Sequence, residues 1–192
     1  KSDHRHPDMS IRHSFEYFLD KTSHDILVTI DSDTLLHPRW YKFILEHMPK
    51  NDGVLSLYHS KAAYHKTLKC DNVTCIKGTQ GSMGMVVNRE TLEKTLQSVD
   101  NAKYRSRPGD FDWGIVRYFK RQNIRLVVPK KSLALHYGMY GAHGAGNHVE
   151  QANSFDLGVF PPDIIKDVNK FLKNRPPDRI SKIDKFSQSV ND

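Results

Sequence analysis

Asp31 and Asp33 stand one residue apart in Asp31-Ser32-Asp33. They follow Ile-Leu-Val-Thr-Ile, a β-rich and almost wholly apolar run, so residues 25–30 read as a buried strand of the kind found inside a parallel sheet. Ligands of open α/β sheets bind outside the carboxyl ends of the strands. Carboxylates placed there cannot both stay desolvated without a counter-charge. A divalent cation supplies one, and Mg2+ and Mn2+ accept carboxylate oxygens together with phosphates. The plain alternative is a turn carrying solvated acids.

Three further constellations carry chemistry. Gly109-Asp110-Phe111-Asp112-Trp113 places acids at a predicted helix start, where a carboxylate caps the helix or stays ionised as a general base. Leu133-Ala134-Leu135-His136-Tyr137-Gly138 puts an imidazole at the end of an apolar strand, before a Gly-rich loop that also holds His143, with His148 just after it. Imidazole can complete a coordination shell that carboxylates and phosphates begin. The segment 78–84 is Gly-rich, but it lacks the Lys-Ser/Thr of a phosphate-binding P-loop. Its glycines Gly81 and Gly84 allow a ligand to approach the backbone, or form a plain turn. Cys70 and Cys75 are either a small disulfide loop or free thiols. A zinc site there would need His59 and His65 as well. Asn72-Val73-Thr74 matches a glycosylation acceptor, a triplet that also arises by chance.

The elements that must position these residues alternate between helical and strand patterns, which indicates an α/β class. Ile11, Phe15, Phe18 and Leu19 recur at helical spacing over 8–19. Pro38 opens a second helix with Tyr41, Ile44, Leu45 and Met48 on its apolar face. Strands are expected over 54–58, 85–87, 124–128 and 132–135. Helices are expected after Asn88, from Asp110 or Asp112, and from Pro161-Pro162 to about Leu172. The stretch 60–77 is polar and shows no clear period, and the tail from Arg175 reads as a linker. The catalytic unit is thus expected over 1–174, with 175–192 as a tail.

Bulk properties narrow the partners. The chain has 192 residues and a net charge of +7, with lysines and arginines dispersed rather than blocked. That balance suits a phosphate-bearing ligand, an acidic glycan or an anionic membrane surface, and argues against nucleic acid. No apolar run reaches the ~18 residues of a membrane span.

Taken in order, these pieces resemble GT-A glycosyltransferases, especially the family-2-like inverting type. Asp31-Ser32-Asp33 matches their DxD motif, and Arg12 resembles the arginine that meets the donor nucleotide one helix earlier. Gly81-Ser82-Met83-Gly84 is similar to the Gly-rich segment beside the donor sugar and acceptor. Gly109-Asp110-Phe111-Asp112 resembles the Glu-Asp-x-Asp motif of the catalytic base, with Gly109 in place of the Glu. His136 is similar to the late metal-ligating histidine. The resemblance covers roughly residues 8–145. It implies a mixed, mostly parallel sheet flanked by helices, with the first nucleotide-binding strands missing from this chain.

The activity so implied is transfer of a sugar, with inversion, from a nucleotide-diphosphate sugar, foremost a UDP-sugar, to a hydroxyl of a glycan or other acceptor. Mn2+ or Mg2+ would sit on Asp33 and His136, with Asp31 at the metal-bound water or the donor ribose. Asp110, or Asp112, would be the base, and His143 would lie in a loop over the nucleotide. Rival readings are a sugar nucleotidyltransferase and a non-catalytic glycan-binding module. A cytoplasmic location is expected, or the Golgi lumen if a membrane anchor has been removed.

Overall fold

The computed structural model describes residues 7–61, 65–81, 83–99, 111–136, 152 and 154–173. Its elements run α1 (Pro7–Lys21), β1 (Ile26–Val28), β2 (Thr34–Leu36), α2 (Trp40–His47), β3 (Gly53–Ser56), β4 (Thr67–Cys70) and β5 (Thr74–Lys77). They continue with β6 (Met85–Asn88), α3 (Arg89–Val99), α4 (Phe111–Arg121), β7 (Arg125–Pro129), β8 (Ala134–His136) and α5 (Pro162–Lys173). Six strands form one mixed sheet in the order β1-β6-β3-β7-β5-β4, and β2 pairs with β8 in a separate two-stranded sheet. The α/β class expected from the periodicity therefore holds.

Strand alternation divides the large sheet into two apolar faces. Val54, Val87 and Leu126 turn toward Phe15 and Phe18 of α1, Leu92 and Val99 of α3, and Phe111, Ile115 and Phe119 of α4. Leu55 and Val86, one residue along in each strand, face Phe43 and Ile44 of α2 and Ala134 of β8. Leu55, Val86 and Val87 are fully buried, so the centre of the sheet is covered on both sides.

Local chemistry explains several boundaries. The Asn88 Oδ1 accepts the Thr91 N–H at 2.8 Å, a side-chain cap on the first turn of α3. Asp52 and Asn123 take positive φ at the turns before β3 and β7, as short polar residues tolerate. Gly84 has φ +60, and a Cβ there would meet the Leu57 Cβ at 3.3 Å and the Tyr58 nitrogen at 3.4 Å. The Gly84 carbonyl accepts the Leu57 N–H at 2.8 Å, so this glycine brings the chain against the end of β3 before β6 begins.

The expectation of a mostly parallel sheet is corrected. Among the described strands, β3 and β7 are parallel, whereas β1·β6, β3·β6, β5·β7 and β4·β5 are antiparallel. A short turn can join only antiparallel strands, and β4–β5 is such a hairpin inside the stretch that showed no clear period. The strand expected over 25–30 is also shorter and less enclosed. It is β1, at one edge of the described sheet, with Ile26 38% and Ile30 42% exposed. Its apolar composition is shared by internal strands, and composition does not say which strands lie alongside.

Candidate metal centre

Asp31 and Asp33 lie in the turn that leaves β1. The Thr34 N–H donates to the Asp31 carbonyl at 3.1 Å, folding 31–34 back so that β2 starts at once. β2 then pairs with β8 in the register Thr34↔His136, Leu35↔Leu135, Leu36↔Ala134. That register sets His136 beside the turn. Its Nε2 lies 2.9 Å from the Asp33 Oδ2, with the two side chains 21% and 30% exposed. Donor atoms of Asp31, Asp33 and His136 all fall within 4.8 Å of one another. Residues about a hundred positions apart in the chain are thus joined by one two-stranded pairing.

The donor set fits a divalent cation. At metal–ligand distances of ~2.1 Å, neighbouring octahedral ligands sit ~3 Å apart and opposite ones ~4.2 Å. The His136–Asp33 separation already has the first value, and the 4.8 Å that bounds the whole donor set is near the second. Two carboxylates and an imidazole suit Mn2+ somewhat better than Mg2+, which favours oxygen alone. Thr34, next to Asp33 in the chain, has a buried hydroxyl with no hydrogen-bond partner among the described residues.

The other expected site residues are placed less uniformly. Arg12 lies on α1, its Nε donating to the Glu16 Oε1 at 2.8 Å and its guanidinium 6.0 Å from the Phe111 ring centre. It therefore stands beside the start of α4. Among the described residues nothing lies within 4 Å of where a Gly81 side chain would be, whereas Gly84 answers the close contact with Leu57 described above. Asp112 falls in the first turn of α4, its side chain outside the described residues. Asp110, His143 and His148 also lie outside them, as do the loop expected over 138–146 and the tail expected over 175–192.

Three features were not read from the sequence. Gln80 is 4% exposed, and among the described residues neither atom of its amide has a partner. In the same Gly-rich segment, Thr79 binds the His65 Nδ1 through its hydroxyl at 3.0 Å, and the His65 ring stacks on Trp113 of α4. His37 is buried and accepts the Arg39 N–H on Nδ1, one turn before α2. A buried Gln in a polar, glycine-rich stretch has no period to announce it. The zinc alternative fails, because Cys70 and Cys75 are joined to each other in a disulfide. No family model matches this chain, and neither does any curated protein.

Proposed function

We propose that this chain carries the metal-binding part of a glycosyltransferase centre, moving a sugar from a nucleotide-diphosphate donor, foremost a UDP-sugar, to an acceptor hydroxyl. The observation that carries the reading is the convergence of Asp31, Asp33 and His136 on one point at the end of β1. A divalent cation held there would neutralise charge growing on the departing diphosphate. The resemblance of these residues, and of Gly81 to Gly84 and Asp110 to Asp112, to the motifs of GT-A enzymes supports the same reading.

In this scheme the acceptor oxygen forms a bond to the anomeric carbon as the bond to the diphosphate oxygen breaks. The acceptor proton passes to a carboxylate. Asp110 is the base we favour, because it precedes α4, whereas Asp112 falls within its first turn, a position where an acid suits the helix dipole. Attack opposite the leaving group inverts the anomeric centre. Arg12 and Gly81 are assigned to the donor, and the loop carrying His143 to covering it.

Among the described residues no helix is long and apolar enough to cross a membrane. Disulfides persist in oxidising compartments, so the Cys70–Cys75 bond favours the lumenal over the cytoplasmic location.

The test is donor turnover. With Mn2+, a panel of UDP- and other nucleotide sugars should include one that releases its diphosphate faster when acceptor is present. Asp33→Asn should remove that release. Donor cleavage that proceeds equally in a chelator would end the reading. Release of pyrophosphate rather than a nucleoside diphosphate would transfer it to a nucleotidyltransferase.

A further inference from the structure

The acceptor triplet Asn72-Val73-Thr74 has no part in the chemistry of the acidic cluster, and it is the one Asn-x-Ser/Thr sequence in the 192 residues. A triplet that arises by chance falls as readily inside a helix or a buried strand. This one forms the tip of the β4–β5 hairpin, with Thr74 as the first residue of β5. The Asp71 N–H donates to the Thr74 carbonyl at 2.9 Å, and the Val73 carbonyl accepts the Lys130 N–H at 2.8 Å, so the turn is held in place. The Asp71 carboxylate accepts its hydrogen bonds from Val73 and Thr74, and the Asn72 side chain has no share in them.

Asn72 is exposed, as are Asp71 and Val73 on either side of it. β4 is the last strand on its side of the described sheet, and all four of its residues are exposed. Leu68 is 60% exposed and Val73 49%. A bulky, hydrated substituent on the Asn72 amide therefore meets open space and displaces none of the hydrogen bonds that close the turn. It would also shield an apolar strand edge of the kind that invites pairing with other chains. The Cys70–Cys75 bond brackets the triplet. Disulfides persist in the compartments that glycosylated chains pass through.

We propose that Asn72 is the acceptor for an N-linked oligosaccharide. In the transfer, the Asn72 Nδ2 forms a bond to the anomeric carbon of the first sugar, while the bond from that carbon to the diphosphate of a lipid-linked donor breaks. The amide gives up one proton, and the lipid diphosphate leaves. A separate transferase of the secretory pathway carries this out, and the Thr74 hydroxyl completes the triplet that it reads. The inference rests on the lumenal location drawn from the disulfide, and not on glycosyl transfer at the acidic cluster.

The experiment compares the protein isolated from the cells that make it with the full chain expressed in eukaryotic cells behind a cleavable secretory leader. An N-glycosidase should shift both to higher mobility on a denaturing gel, and peptide mass spectrometry should place the resulting amide-to-acid change at Asn72. In the secreted chain, Asn72→Gln and Thr74→Ala should each lose the slower band. Thr74→Ser, which keeps the hydroxyl, should retain it at least in part, and circular dichroism reports the fold of every variant. A slower band that survives Thr74→Ala would overturn the proposal. So would the absence of a shift in both preparations, which would make the triplet a chance one. A shift in the leader-directed chain alone would overturn it through the location. Donor turnover at the acidic cluster is measured separately, so failure of the glycan and failure of the catalytic reading are told apart.

Discussion

Asp33 is the residue on which the metal assignment turns, since it is bonded to His136 and shares a turn with Asp31. Loss of residues that merely support metal ligands costs 10–100-fold in affinity, so Asp33→Asn should weaken Mn2+ binding by roughly 100-fold or more, as read by calorimetry. Mn2+ affinity that survives this change would remove Asp33 from the ligand set. Two histidines set a pH dependence. His37 has its pKa lowered below 6.5 by burial first, with Arg39 adding to it against Asp156, and His59 is lowered by burial and Lys77. The unfolded chain therefore takes up protons that the folded chain refuses as pH drops through 6.5. Stability is full above that value and falls below it, so the melting temperature should decline from pH 7 to pH 5. His59→Gln should flatten part of that decline. A melting temperature that rises over the same interval would contradict both assignments.

Elements are held by local chemistry that can be removed one piece at a time. The β4–β5 hairpin is closed by Cys70–Cys75, which are directly paired across the strands. At its tip the Asp71 Oδ1 accepts the Thr74 and Val73 N–H groups, while the Thr74 hydroxyl binds Oδ2. Those bonds, led by that to Thr74, bring the Asp71 pKa down to about 2. For a loop this short, chain entropy gives the disulfide about 2 kcal/mol. Cys70→Ser with Cys75→Ser should lower chemical-denaturation stability by up to that amount. A loss well beyond it would mean that the hairpin supports more of the sheet than its edge position suggests. Asn88→Ala removes the cap of α3 and should cost about 1 kcal/mol. Gly84→Ala forces a side chain into a left-handed conformation against Leu57, and should cost about 1–2 kcal/mol. A Gly84→Ala protein as stable as the wild type would show that the turn before β6 can rearrange.

At the scale of the molecule, the cluster lies where β1, β2 and β8 meet, so a ligand there links the large sheet to the small one. Any ligand that binds only the folded chain stabilises it by about 2.7 kcal/mol at a hundred times its Kd. For a domain of this size that raises the melting temperature by roughly 5–10 °C. Mn2+ should produce such a shift, EDTA should reverse it, and Asp33→Ala should abolish it. An equal shift in the variant would place the metal elsewhere.

What the sequence determined alone was mostly periodic or local. The apolar spacing of Phe15 and Phe18 yields α1, Asn88 announces α3 by its capping chemistry, and Ile124 to Val128 is legible as β7 because branched side chains pack on a pleated surface. Asp31 and Asp33 could be singled out because both follow an apolar strand. What only the tertiary structure decided was pairing. Among the described strands β1 lies at one edge of the sheet and antiparallel pairs prevail, because strand order depends on contacts between distant segments that composition does not encode. The β2·β8 register set His136 opposite Thr34 and hence beside Asp33, and one residue of slip would have turned it to the other face. Lys61, Lys66, Lys77 and Lys130 are the same kind of fact: scattered in the chain, they come to line one cleft beside the β4–β5 hairpin only in the folded protein.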